Sequence, residues 1–82
     1  MTPLTYKFIR VGLDVEQERW AGKPIYFVFN IKSGEAIGRI LWYATWRRFI
    51  FQSALETVWS SDCLANIIDA LDKITAYHAL QK

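Results

Sequence analysis

The 82-residue chain has one cysteine, one histidine, two prolines and four glycines. A single cysteine, Cys63, forbids an internal disulfide and leaves a zinc site without a ligand set. That usage fits a reducing compartment, so a cytoplasmic protein is expected. No apolar run exceeds five residues, at 25–29 and 40–44, whereas a membrane-spanning helix needs about 20. The N-terminus shows no basic stretch leading into an apolar one, so neither a signal peptide nor a membrane partner is expected. Also missing are a Cys-His-Asp set, a carboxylate pair, an HExxH motif and a glycine-rich phosphate loop. A non-enzymatic protein without cofactor or metal is therefore expected.

What is present is apolar and aromatic: 52% hydrophobic, 16% aromatic and 22% charged residues. That excludes disorder, and the length allows one core, so residues 1–82 form one expected domain. The net charge of +2 is unevenly spread. Residues 1–55 carry eight Lys or Arg against four Asp or Glu, and 56–82 carry two against four. One side of the molecule should be positive and the other negative.

Residues 4–13 alternate loosely and read as a strand. Residues 14–23 are polar around Trp20 and read as a loop. Pro24 opens a β-rich run at 25–31. Lys32-Ser33-Gly34-Glu35 reads as a hairpin turn, with Gly34 supplying a positive φ. Strands follow at 36–43 and 46–52, joined by Ala44-Thr45. The last 22 residues read as a helix, because Leu64, Ile67, Ile68, Leu71 and Ile74 recur at helical spacing. Ser60 is the expected N-cap, with Asp62 near the positive end of the dipole. Asp69 and Lys73 form an i,i+4 pair in the favourable order. Cys63 is expected to be buried in the first turn, and His78 to be structural near the C-terminus. The expected fold is α+β, a four-stranded antiparallel meander (ββββα) with the helix on one face.

Pairing the two expected hairpins places Ile25, Phe27, Phe29, Gly38, Ile40, Trp42, Phe49 and Phe51 on one face. The helix stripe should cover it. The other face then holds Tyr26, Val28, Asn30, Ile37, Arg39, Leu41, Tyr43, Trp46, Arg48, Ile50 and Gln52. Tyr, Trp and Arg are the types enriched at binding surfaces. Three fates for that face stay open. The first 24 residues could cover it, a second copy could pair with it, or another protein or a nucleic acid could bind it.

Within 36–68, Gly38-x-Ile40-x-Trp42, Trp46-Arg47-x-Phe49-x-Phe51 and Cys63-Leu64-x-x-Ile67 resemble a type of small protein found in phage and bacterial genomes. No activity attaches to that type, so the resemblance transfers no site residue. Its phage association implies a small accessory protein that binds and blocks a host factor, such as a defence component. The segment 14–23 departs most from the type. The expected function is thus a protein-binding module using Tyr26, Arg39, Leu41, Tyr43, Trp46, Arg48 and Ile50, either as a homodimer or as an inhibitor of a host protein. The alternative is single-stranded nucleic-acid binding through Tyr43, Trp46, Arg39 and Arg48.

Overall fold

The computed structural model describes residues 4–13, 19–20, 23–54 and 56–80. Among the described residues, seven strands and one helix follow one another: β1 (Leu4–Thr5), β2 (Ile9–Leu13), β3 (Arg19–Trp20), β4 (Lys23–Pro24), β5 (Tyr26–Asn30), β6 (Ala36–Tyr43), β7 (Arg48–Ser53) and α1 (Ser61–Ala79). Strands β1-β2-β5-β6-β7 form one antiparallel sheet in that order, and β3-β4 form a separate two-stranded ribbon. The class is α+β, as expected, but the main sheet has five strands rather than four. The expected strand at 4–13 doubles back on itself, with Leu4 opposite Val11 and the Tyr6 N–H donating to the Ile9 carbonyl. The expected loop at 14–23 contains three of the four residues of the β3-β4 ribbon, while 14–18 and 21–22 lie outside the described residues.

Ser60 caps α1 as expected. Its backbone is extended, and its hydroxyl accepts from the Cys63 N–H. That leaves one fewer unsatisfied donor in the first turn. Asp69 and Lys73 pair at 2.9 Å. Tyr6 Oη donates to Asp69 Oδ2 at 2.7 Å, which ties the β1-β2 side of the sheet to the helix. That bond, and after it the Lys73 ammonium, hold the Asp69 carboxyl below its ordinary range.

The helix lies on the sheet face made by Ile9, Val11, Tyr26, Val28, Ile40 and Phe49, and contributes Ile67, Ala70 and Ile74. Leu71, Trp42, Phe51 and Trp59 pack around this core. The expected helix stripe is thus rotated. Ala70 is buried, whereas Leu64 and Ile68 are 44% and 60% exposed. The helix settles on Ala70 because a small residue lets the axis approach the sheet. Cys63 is half-buried rather than buried.

The registers correct the expected pairing in two ways. At the β6-β7 hairpin the turn has four residues, 44–47, with Arg47 in the left-handed region at φ 52°. Tyr43 faces Arg48, Trp42 faces Phe49 and Ile40 faces Phe51. This shifts the expected pairing by two residues and leaves residues 38–43 and 48–52 on their expected faces, whereas Ile37, expected on the open face, packs against the core. At β5-β6 the turn begins earlier, because Asn30 Oδ1 accepts from the N–H groups of Lys32 and Ser33. A bulge then adds one residue, so that Phe29 faces Ala36 but Val28 faces Gly38 and Tyr26 faces Ile40. One extra residue turns β5 over. Tyr26 and Val28 go under the helix, and Phe27 and Phe29 go to the open face. The run Ile25-Tyr26-Phe27-Val28-Phe29 is apolar on both sides, so its alternation could not choose between them.

Gly38 sits where the sheet needs no side chain. A Cβ there would lie 2.5 Å from the Phe51 ring and 2.7 Å from the Gln52 carbonyl oxygen.

Candidate functional site

The candidate surface is the sheet face away from α1, together with the β6-β7 turn. The observed ladders put Arg10 opposite Phe29, Gly12 opposite Phe27, Phe27 opposite Arg39, Arg39 opposite Gln52 and Leu41 opposite Ile50. Residues directly opposite share a face. Arg10 lies 4.5 Å from the centroid of the Phe29 ring, a cation–π geometry. The Phe27 and Phe29 rings are 6.4 Å apart. Arg39 Nε donates to Gln52 Oε1 at 2.8 Å. A hollow of about 210 Å3 opens there, lined by Phe27, Ala36, Gly38, Arg39, Gln52, Ser53 and Ala54.

Seven residues were expected to form this surface. Arg39, Tyr43, Trp46 and Arg48 are exposed on it, and Ile50 is half-buried. Two are not available. Tyr26 is 3% exposed, because the bulge turns it under the helix, where its hydroxyl meets His78 Nε2 at 2.8 Å. Leu41 stays on the open face but is only 7% exposed. It lies mid-ladder in β6, opposite Ile50. Tyr43 and Trp46 form an edge-to-face pair at 5.0 Å across the turn, and Trp46 is 64% exposed.

Arg10, Phe27 and Phe29 belong to the surface and were missed by sequence reasoning. Gly38 inside a strand was the available signal, since strand glycines mark bulges and close approaches.

Beyond the turn, Lys23, Trp42, Arg47, Arg48, Phe49, Thr75, His78 and Ala79 line a cleft of about 210 Å3 between β4, the hairpin tip and the end of α1. Lys23 Nζ lies 4.9 Å over the Trp42 ring. Among the described residues the one ion pair is Lys73–Asp69, so Lys23, Arg47 and Arg48 have no described carboxylate within pairing distance. His78 packs at 4.8 Å on Phe49. Burial, and then the charge of Lys23, push its pKa below the ordinary histidine value. Such a lining can hold a carboxylate or a phosphate by charge while aromatic rings form its walls.

No cluster of three or more metal-ligating side chains occurs among the described residues, and no described helix is long and apolar enough to cross a membrane. No family model matches the chain, and comparison with curated proteins and with solved structures gives no match either.

Proposed function

We propose that the chain is a non-enzymatic protein-binding module. It holds a partner on the open sheet face and the β6-β7 turn, and the partner presents acidic groups beside an apolar patch. The observation that carries this reading is the composition of the surface. Arg10, Arg39, Arg47, Arg48 and Lys23 surround Phe27, Phe29, Tyr43 and Trp46, while Asp62 and Asp69 lie on the helix, across the sheet, and Asp72 borders the groove beside Arg47 and Arg48. An exposed Trp beside arginines is the usual make-up of a binding hot spot. Inhibition of a host factor is the role that the phage resemblance adds.

A second reading is favoured by the Arg10–Phe29 stack and the hollow beside Phe27. Both suit a base lying flat on a ring with its phosphate on arginine, as in single-strand readers.

One experiment separates the two. A photoreactive residue replaces Trp46 in cells, with position 62 on the helix as control. Discrete protein adducts at 46, lost with Arg39→Glu and Arg48→Glu, support the first reading. Nucleic-acid adducts at 46 support the second. Equal adducts at 46 and 62 sink both.

A further inference from the structure

The second surface begins with what α1 leaves outside. Its buried side is Ile67, Ala70 and Ile74. A separate row, Leu64, Ile68, Leu71 and Thr75, follows spacings of four, three and four residues, the repeat of a coiled-coil seam. Leu64 and Ile68 are largely in water, and Leu71 is half-buried.

The orientation of this row is fixed by its neighbours. On one flank of the helix, Asp69 and Lys73 reach Tyr6, next to β1. On the other flank, Leu71, Asp72 and Thr75 share a groove with residues 46–51 of the hairpin tip and β7. The seam therefore hangs on the β7 side of the sheet. Strand β7 is the sheet edge there, six residues long, without proline and with Arg48 as its one charged side chain. The opposite edge, β1, has two residues. Long, uncharged edges are the ones that pair with another chain.

We infer that the chain forms a two-fold dimer in which β7 pairs antiparallel with β7 of a second copy and the Leu64-Ile68-Leu71-Thr75 seams of the two helices pack together. A two-fold axis near the middle of β7 keeps both helices on the same side of a continuous ten-stranded sheet. It also runs the helices antiparallel to each other. The charges agree with this arrangement. The two Arg48 side chains fall at opposite ends of the joined strands, each toward the end of the other copy that leads to Glu56. A 19-residue helix is about 28 Å long, so the seam can span the six-residue β7 edge beside it. The strand pairing leaves Phe27, Phe29 and Arg39 of the open face free in both copies, while Trp46 and Arg48 border the junction.

The test is sedimentation of the full chain across a wide concentration range, paired with oxidative cross-linking. Wild type should sediment as a dimer. Ile68→Asp should dissociate it, while Val58→Asp, at an exposed residue off the seam, should not. In a Cys63→Ser background, Ile68→Cys or Leu71→Cys should give a disulfide-linked dimer, because residues near the axis bring their Cα atoms within bridging range. Lys73→Cys, on the other flank, should not. Ile68 is exposed, so far-UV dichroism of Ile68→Asp should match wild type. A wild-type monomer at the highest concentration overturns the proposal. So does a dimer that survives Ile68→Asp, or one that cross-links through position 73 rather than 68 and 71.

Discussion

The helix-covered face of the sheet carries Ile9, Val11, Tyr26, Val28, Ile40 and Phe49. The open face carries Phe27, Phe29, Leu41 and Ile50, with Arg10, Arg39 and Arg48 among them. Both are apolar, and in β5 they differ by a single residue of register. Apolar content therefore does not tell core from surface here. What separates them is the company. The covered face has no described charged residue in its cluster, and the open face alternates rings with arginines. Arginine stems can lie along ring faces and keep the charge in water, so the open face tolerates solvent in a way that the covered one cannot.

That contrast can be broken by mutation. The largest effect is expected at Ile40, fully buried under α1. Ile40→Ala should cost about 2–5 kcal/mol, and Ile50→Ala on the open face clearly less, both read from denaturant unfolding. Equal losses would mean that the open face is a second core.

Gly38→Ala comes next. The new Cβ meets both the Phe51 ring and the Gln52 carbonyl, and overpacking of this kind costs about 1–3 kcal/mol. Adding Phe51→Leu should recover only part of the loss, because the carbonyl stays in place. Full recovery in thermal melts would assign the whole constraint to the ring.

Ser60→Ala removes the hydroxyl that accepts from the Cys63 N–H and should cost about 1 kcal/mol. The same loss with Ser61→Ala would misplace the cap.

The smallest effect is a pH dependence. The folded pKa of His78 lies below its unfolded value. Between those two values the unfolded chain binds more protons, so stability is complete above the unfolded pKa near 6.5 and falls as pH drops through the folded one. Unfolding midpoints should decline over that range in wild type, and His78→Gln should flatten that part of the profile. An unchanged slope would assign it to other groups.

Much of this architecture was legible in the chain. The helix and its Ser60 cap were, because capping and period are local properties. So were the faces of β7 and of β6 from Gly38 onward, since Gly38, Ile40 and Trp42 alternate with Arg39 and Tyr43. The double-back at Tyr6–Phe8 was not legible, because no glycine, proline or asparagine marks it. The inward side of β5 was hidden for a different reason, as both of its sides satisfy the same pattern. For the same cause the site was half legible. Arg39, Tyr43, Trp46 and Arg48 lie on the strands whose faces were read correctly. Tyr26 fell on the wrong side, and Phe27 and Phe29 with it.

The extra residue at the β5-β6 bulge acts as a selector between two dressings of one strand. Taking Ile37 into the ladder, with Val28 opposite it and Phe27 opposite Gly38, would roll β5 over, sending the two phenylalanines beneath the helix and presenting Tyr26 and Val28 to whatever docks outside. A one-residue slip at that point, with no change of sequence, would exchange part of the recognition surface for part of the interior, whereas deletion of Ile37 would keep Val28 opposite Gly38 and Tyr26 opposite Ile40.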